Sequence, residues 1–259
     1  MEIQIGYYPQ LFLLVLTRVG SIVGGVTILG KGRVPPPVRL AVALALTILF
    51  TPLLAAKGAL IQLHLNNTIE IVEAMLNEML LGFVLALACD IVFTVCNLAG
   101  FIIGFGSSLT MAQVIDPTSG VSGEIIGAIL QLVCMMIFIL SDAHLVLIRL
   151  IFQSFSIIPP NPGAWLTQDL MSDIVMLLKR IYICGVRLAA PAIAVAFILD
   201  LSFGLISRMA PDFDILFMSM PVRLFAGLAT FGFILRYGAS FFDSLCQLME
   251  RSFARILIG

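Results

Sequence analysis

Residues 80–105 read LLGFVLALACDIVFTVCNLAGFIIGF, a stretch whose one charged residue is Asp90. A helix needs about 20 predominantly apolar residues to cross the hydrocarbon core of a bilayer. Residues 125–150 and 181–206 form two more stretches of such length, and their few charges are isolated or paired with a neighbour. The three stretches predict an all-α protein whose long apolar helices are embedded in a membrane.

The composition of the whole chain supports this class. Hydrophobic residues make up 61% of it and charged residues 11%, and the mean hydropathy is +1.13. One soluble core could not hide so much apolar surface from water, so we expect lipid or partner chains to cover it. The net charge is -1, and Lys and Arg are scattered along the chain. Because no basic surface results, we expect no nucleic-acid partner.

Six long helical regions, arranged in hairpins, are predicted along the chain. They cover residues 10–29, 38–56, 69–105, 124–155, 171–207 and 222–256. Three prolines in a row at 35–37 separate the first two regions, because consecutive prolines lack amide donors and force extended backbone. A similar break at 159–163 is the best candidate for an internal division of what is otherwise one membrane subunit spanning residues 1–259.

Small residues recur at a spacing of four in several of these regions. The pairs are Gly20 and Gly24, Gly100 and Gly104, and Gly123 and Gly127. This spacing lets helix backbones approach each other closely in lipid, where no hydrophobic force drives association. We interpret the pairs as helix-packing contacts.

The cysteines do not indicate a cofactor or a disulfide framework. Their number is odd, and they show neither a CxxC motif nor the Cys/His spacing of a zinc site. The five are Cys89, Cys96, Cys134, Cys184 and Cys246. We expect buried, reduced thiols, no metal and no cofactor, and no nucleotide-binding or metalloprotease motif occurs either.

Several ionisable residues lie within or beside the apolar stretches. They are Arg18, Asp90, Asp142, Arg187, Asp200 and Arg236. A charge at a helix centre costs about 2.5 to 3.5 kcal/mol on insertion scales, so each should face protein, water or an opposite charge. A proton pathway and ion pairing between helices or subunits are both open, and pairing is favoured because no two acids share a helix face with a histidine.

Four of these residues are predicted as interhelix or intersubunit charges: Arg18, Asp90, Asp200 and Arg236. Arg18, Asp200 and Arg236 lack evident partners within their own helices, so we expect them to be satisfied only in a complex. Asp142 and His144 invite comparison with an acid/base pair, but residues two apart on a helix point about 200° apart. Ser141 is adjacent, but no Ser or Cys nucleophile with a defined oxyanion donor accompanies them, so we interpret them as a polar cluster at a helix end.

The segment between the third and fourth regions, residues 104–123, is unusual for a loop. It contains no Lys or Arg, and residues 116–120 have turn chemistry. Irregular backbone at membrane depth is tolerated only where protein buries it or where it lines a water-filled cavity. The segment is therefore either a pore plug or a plain helix hairpin with a flexible tip. Its candidate plug residues are Gly104, Phe105, Gly106, Leu109, Met111, Val114, Ile115, Asp116, Pro117 and Gly120.

Four motifs occur in one order along nearly the whole chain. They are Gly104-Phe105 leading to Val114-Ile115-Asp116-Pro117, then Ser141-Asp142-Ala143-His144-Leu145, Arg208-Met209-Ala210-Pro211 and Met220-Pro221-Val222-Arg223-Leu224. In order and spacing the chain resembles the FliR family of flagellar export-gate proteins. Asp212, Asp214 and Thr118 depart from the residues usual in that family. Residues 219–221 look closer to the virulence-injectisome counterparts, whereas residues 142–145 look more flagellar, which is the reading we favour.

The resemblance implies a non-enzymatic subunit of a type III protein export gate. Such a subunit would lie in the bacterial inner membrane, in the flagellar basal body, with its core displaced toward the periplasm. It would assemble with FliP and FliQ, cooperate with FlhB and FlhA, and pass unfolded flagellar proteins. The resemblance also implies a FliP-like portion followed by a FliQ-like portion, and a plug at residues 104–123. A stand-alone secondary transporter is a weaker alternative, because we see no inverted repeat.

Overall fold

The computed structural model of the protein describes residues 2–26, 34–56, 68–108, 125–160, 168–210 and 214–258. These residues form eight α-helices and no strand, which confirms the all-α class. The helices are α1 (Glu2–Gly25), α2 (Pro36–Ala56), α3 (Thr68–Gly106), α4 (Ile125–Leu140), α5 (Ala143–Ile157), α6 (Gln168–Met209), α7 (Ile215–Tyr237) and α8 (Ala239–Ile258).

Four of the described helices are long and apolar enough to cross a bilayer. They are α2, α3, the Ser172–Met209 part of α6 and the Phe217–Arg236 part of α7. The pair α4 and α5 adds a fifth span if the two count as one broken helix. These four or five helices fit the predicted class, a protein whose apolar helices are embedded in a membrane.

The count of six helical regions is wrong in two places, because two regions are broken. Residues 124–155 contain a turn at Ser141 and Asp142, and the φ of Asp142 is 55°, a left-handed conformation that no helix interior accepts. Residues 222–256 are divided at Gly238, whose carbonyl accepts hydrogen bonds from the N–H groups of Phe241 and Phe242. A side chain at Gly238 would press against the Ile234 carbonyl oxygen, 2.5 Å from the added Cβ. The apolar pattern continues through both breaks, so it could not reveal them.

The chain divides into two compact units, each built from separate parts of the sequence. Unit 1 contains Met1–Ile91, Ser141–Leu178 and Gln247–Gly259, and unit 2 contains Val92–Leu140 and Lys179–Cys246. In unit 1, α1 packs against α2. In unit 2, the rings of Phe93 and Phe138 meet edge to face with centroids 5.4 Å apart. The predicted division at 159–163 stays a prediction.

The interpretation of the small residues as helix-packing contacts is confirmed for Gly100 and Gly127, one member of each of two predicted pairs. In unit 2, a Cβ added to Gly100 would overlap the Cα of Gly127, so these two backbones of α3 and α4 are in direct contact. Gly20 and Gly24 are different, since a Cβ at either would meet nothing within 4 Å among the described residues. In unit 1 the close contacts of α1 involve Gly25 and Gly82 instead.

Candidate functional site

The end of α3 fixes where the 104–123 segment begins. The N–H of Ser107 donates to the Ile103 carbonyl at 3.0 Å, and the N–H of Ser108 donates to the Phe105 carbonyl at 3.3 Å. The Ser107 hydroxyl donates to the Gly104 carbonyl at 3.0 Å. Ser108 then takes a left-handed conformation, with φ 59°. Such a residue commonly terminates a helix, although a residue with a Cβ adopts it at some cost.

The predicted plug residues that the structure describes have very different exposure. Gly104 is buried and Gly106 is half-buried, whereas the Phe105 side chain is 71% exposed. The remaining predicted members lie outside the described residues: Leu109, Met111, Val114, Ile115, Asp116, Pro117 and Gly120. The plug therefore stays a prediction, and the structure describes only its first residues, 104–108.

The end of α3 is seated on α6 and α7, all within unit 2. A Cβ at Gly227 of α7 would overlap the Ser107 side chain and lie 3.1 Å from the Ser107 Cα. A Cβ at Gly106 would lie 3.3 Å from the Cβ of Ala196 on α6. We call the contacts of Gly106 with Ala196 and of Ser107 with Gly227 the α3 seat. No role was predicted for Ser107 or for Gly227 from the sequence.

A small cleft with a volume of about 10 Å³, enough for roughly one water molecule, lies beside the α3 seat. Most of its lining is apolar, and the hydroxyls of Ser107 and Thr230 already bond to carbonyls of their own helices. Arg223 of α7 pairs with Asp200 of α6, with 2.7 Å between Nη2 and Oδ1. The Nε of Arg223 is buried and has no hydrogen-bond partner among the described residues. Neither hydroxyl has an acid or a base beside it in the lining, so the chemistry of the cleft suits packing rather than catalysis.

A second polar site lies in unit 1, around Arg18 of α1. Arg18 is fully buried and forms a two-pronged ion pair with Glu78 of α3, in which Nη2 donates to Oε1 at 2.9 Å and Nε donates to Oε2. Its Nη1 donates to the Ile158 carbonyl at 3.0 Å and reaches the Ser154 hydroxyl at 3.5 Å. The guanidinium also lies 4.3 Å from the centre of the Phe155 ring. We call these five residues the Arg18 site.

Small residues bring α1 and α3 close enough for this pair. A Cβ at Gly82 would overlap the Ser21 hydroxyl and lie 2.7 Å from the Arg18 carbonyl oxygen, and a Cβ at Gly25 would lie 2.7 Å from the Cβ of Ala86. Glu78, Gly82 and Ala86 are spaced by four and share one face of α3. The Arg18 site therefore sits on a close helix contact.

Glu78 was not among the charges predicted to pair between helices or subunits. The structure shows that protein covers it, with 1% of its surface exposed. Its spacing of four from Gly82 was the one sequence feature that could have suggested a contact face. The reading missed the ion pair because the partner lies 60 residues away in the chain.

The predicted interhelix or intersubunit charges have partners within the chain. Arg18 pairs with Glu78, and Asp200 pairs with Arg223. The expectation that Arg18 and Asp200 are satisfied only in a complex is therefore wrong, because it considered partners on their own helices alone. Asp90 is buried and Arg236 is exposed, and both interact with other residues of the chain.

Asp142 and His144 do not share one helix, which corrects the geometry assumed for them. Asp142 is exposed in the turn before α5 and makes no capping hydrogen bond with its side chain, whereas His144 is half-buried in the first turn of α5. Their interpretation as a polar cluster at a helix end fits this placement. The five cysteines are free thiols, and the described residues hold no group of three or more His, Cys, Asp or Glu side chains suited to a metal ion.

Comparison with known proteins gives a consistent family. The pattern of the family described as bacterial export proteins, family 1, matches residues 10–249. The flagellar biosynthetic protein FliR of Escherichia coli (strain K12) is 26% identical over 91% of this chain and 88% of its own length. FliR of Caulobacter vibrioides is 27% identical over 83% of this chain and 84% of its own length.

A third relative comes from a secretion system rather than a flagellum. The secretion system apparatus protein SsaT of Salmonella typhimurium is 22% identical over 74% of this chain and 73% of its own length. The resemblance to FliR seen in the motifs is thus confirmed over most of the chain. Since the family pattern covers nearly all of the described helices, the chain belongs to the bacterial export proteins, family 1.

Proposed function

We propose that this chain is a non-enzymatic, pore-forming subunit of a bacterial flagellar type III protein export gate. The observation that carries the proposal is the similarity to FliR of Escherichia coli over 91% of the chain. In this proposal the subunit assembles with FliP-like and FliQ-like chains in the inner membrane, with its core displaced toward the periplasm. It cooperates with FlhB and FlhA, and unfolded flagellar proteins pass through the shared pore.

The exposure of the spans supports a role inside an assembly. Only 11% of the span in α6 and 22% of the span in α7 is buried within the chain, compared with 67% of the span in α3. Apolar side chains such as Phe197, Phe217 and Phe225 are largely exposed. A helix that contacts other chains or lipid needs such uncovered faces, whereas α3 packs mainly against its own chain.

The proposal includes a plug formed by residues 104–123. Its described start is fixed at the α3 seat, and the exposed Phe105 ring lies one residue from the half-buried Gly106. A plug needs an anchored end and apolar side chains that seal without holding water. We further propose a FliP-like portion before residues 159–163 and a FliQ-like portion after them.

Deletion of residues 109–115 tests the proposed function. The variant complex should still contain the FliP-like and FliQ-like chains, and it should conduct ions and small solutes that the intact complex retains. Co-purification in mild detergent measures assembly, and planar-bilayer conductance measures the leak. Conductance equal to that of the intact complex, in a complex shown to be assembled, would remove the plug.

The equivalent subunit of a virulence injectisome is the second candidate. The similarity to SsaT favours it, as do residues 219–221. Expression in bacteria that lack either their own FliR or their own injectisome counterpart separates the two. Restored swimming supports the flagellar assignment, and restored secretion without swimming supports the injectisome. A stand-alone transporter would instead show transport when reconstituted without partner chains.

A further inference from the structure

We propose that the exposed face of α6 around Arg187 docks a membrane helix of a partner chain, and that this helix carries a carboxylate opposite Arg187. The proposal rests on the proposed function and deepens it, because it states the chemistry that one partner must bring to the assembly. The residues that carry it all lie in unit 2. We call the following exposed residues the Arg187 face: Ile183, Val186, Arg187, Ala190, Ala194 and Phe197.

Arg187 is a charge without a counter-charge in an apolar run. Residues 181–199 of the α6 span contain one charged residue, which is Arg187. Its side chain is exposed, and among the described residues it forms no hydrogen bond or ion pair. A charge at membrane depth is costly unless it faces water or an opposite charge, and a guanidinium cannot lower this cost by losing its proton. Arg187 therefore needs an acceptor from outside the described chain.

Pro191 adds a second unsatisfied group at the same position. A helical carbonyl normally accepts a hydrogen bond from the N–H group four residues later. The residue four positions after Arg187 is Pro191, which lies inside α6 and has no amide hydrogen. A carbonyl freed in this way at membrane depth is satisfied by a neighbouring helix or by water. Position 187 thus presents both N–H donors and a carbonyl acceptor to a partner.

The rest of the Arg187 face admits a closely packed helix. Ala190 and Ala194 are exposed and spaced by four, which lets helix backbones approach each other in lipid. Phe197 follows on the same face and is 62% exposed. The other side of α6 is already occupied within unit 2, since a Cβ at Gly185 would lie 2.6 Å from the Cδ2 of Leu98 on α3. The Arg187 face is therefore the side of this run that a partner can reach.

A partner helix matches this face better than lipid does. The nearest charged residues at either end of the run are Arg180 and Asp200, so Arg187 lies roughly 10 Å along the helix axis from the nearer end. An arginine near a helix end can extend to a headgroup, but the Arg187 carbonyl would still lack a donor, because acyl chains supply none. A carboxylate, which accepts two hydrogen bonds from one guanidinium, beside a hydroxyl or amide donor would satisfy both groups.

Arg187→Leu in the complete complex tests the proposal, because the two occupants predict opposite results. If the face met lipid, leucine would remove a costly charge and assembly would be unchanged or improved. If it meets a partner carboxylate, leucine leaves that acid unpaired. We expect a severalfold fall in the ratio of partner chains to this chain after purification in mild detergent. Arg187→Lys keeps the charge and should keep most of the ratio.

Lys179→Gln is the matched control. Lys179 is an exposed charge on the same helix, but it lies outside the apolar run, where water can solvate it. This variant should leave the ratio of partner chains unchanged. An equal loss in both variants would show a general effect of charge on α6 and would overturn the specific role of Arg187.

A zero-length cross-link should identify the acid. In the Arg187→Lys variant, a membrane-permeable carbodiimide activates a nearby carboxyl group, and the new amine attacks it to form an amide while the carbodiimide leaves as a urea. Mass spectrometry should find position 187 joined to an Asp or Glu in an apolar helix of a partner chain. Replacing that acid with its neutral amide should then restore assembly of the Arg187→Leu complex.

The outcomes keep this inference apart from the proposed function. If Arg187→Leu retains its partner chains and no partner carboxyl group is cross-linked, the face meets lipid and the docking surface is overturned, while the gate subunit stands. If the intact chain co-purifies with no FliP-like or FliQ-like chain, the proposed function fails. A cross-link from position 187 to an acid of some other membrane protein would then still support the docking surface.

Discussion

The Arg18 site and the α3 seat hold helices together by opposite means. At the Arg18 site, a fully buried guanidinium bonds to a carboxylate, a carbonyl and a hydroxyl, and it lies on an aromatic ring. At the α3 seat, backbones meet through glycines and a serine, and the neighbouring ion pair is 29% and 54% exposed. The directional bonds of the buried Arg18 site resist displacement in any direction, whereas the backbone contact at the α3 seat mainly resists closer approach of its helices. The comparison indicates that the α3 seat, and not the Arg18 site, is the contact that can be displaced without unfolding its unit.

Glu78→Gln should give the largest effect. It leaves Arg18 charged and buried without a counter-charge, and breaking one partner of a buried pair costs about 3 to 5 kcal/mol. Thermal unfolding of the purified complex should show a large fall in midpoint and a loss of folded protein. Glu73→Gln, on the exposed side of the same helix, is the control and should behave like the intact chain. Equal stability of the two variants would contradict the role assigned to the Arg18 site.

Gly82→Ala should have the next largest effect. The added methyl group would meet the Ser21 side chain and the Arg18 carbonyl, and overpacking of this kind costs about 1 to 3 kcal/mol. The same thermal measurement checks it. Gly20→Ala on α1 is the control, because its Cβ meets nothing within 4 Å in the part of the chain that the structure describes, and it should be neutral or slightly stabilising. A stable Gly82→Ala variant would mean that α1 and α3 are not held in close contact.

Ser108→Gly should stabilise the end of α3. The left-handed backbone of Ser108 costs a residue with a Cβ about 1 kcal/mol, and glycine removes that cost. Thermal unfolding or amide exchange at α3 should report a modest gain. Ser202→Gly in the interior of α6 is the comparison and should lose roughly 0.5 kcal/mol instead. Loss of stability in Ser108→Gly would contradict the left-handed conformation.

Asp200→Asn should have the smallest effect on stability. Ion pairs with this much exposure contribute about 0 to 1 kcal/mol and weaken with added salt. The variant should therefore unfold close to the intact protein, and the difference should shrink at high ionic strength. A loss as large as that of Glu78→Gln would show that both regions depend on buried charge and would abolish the contrast between them.

The helices that cross a bilayer could be predicted because long apolar runs have few other uses. Residues 69–105 were expected to be helical, and α3 spans Thr68–Gly106. The breaks at Asp142 and Gly238 could not be predicted in this way, because hydropathy continues through a turn that changes only the backbone direction. The pattern of apolar residues indicates which side chains face lipid or protein. It does not predict the backbone conformation of a single residue.

Sequence reasoning reached the start of the α3 seat but not its partners. The sequence predicted Gly104, Phe105 and Gly106 as the start of a plug segment, which stays a prediction, and the structure shows that Gly106 and the following Ser107 contact α6 and α7. It did not reveal Gly227 as the partner of Ser107, or Glu78 as the partner of Arg18, because both contacts join residues far apart in the chain. Such pairs are set by helix packing in three dimensions, and one sequence carries no record of them.

The length of α3 has a consequence for how the protein is made. Its 39 residues rise roughly 58 Å, about twice the thickness of a hydrocarbon core. A translocon that releases segments sideways into lipid can shelter only about half of this helix at one time. The remaining apolar surface must be covered by protein soon after synthesis. We therefore expect the cellular level of this chain to follow the supply of its assembly partners, with proteolysis removing the surplus.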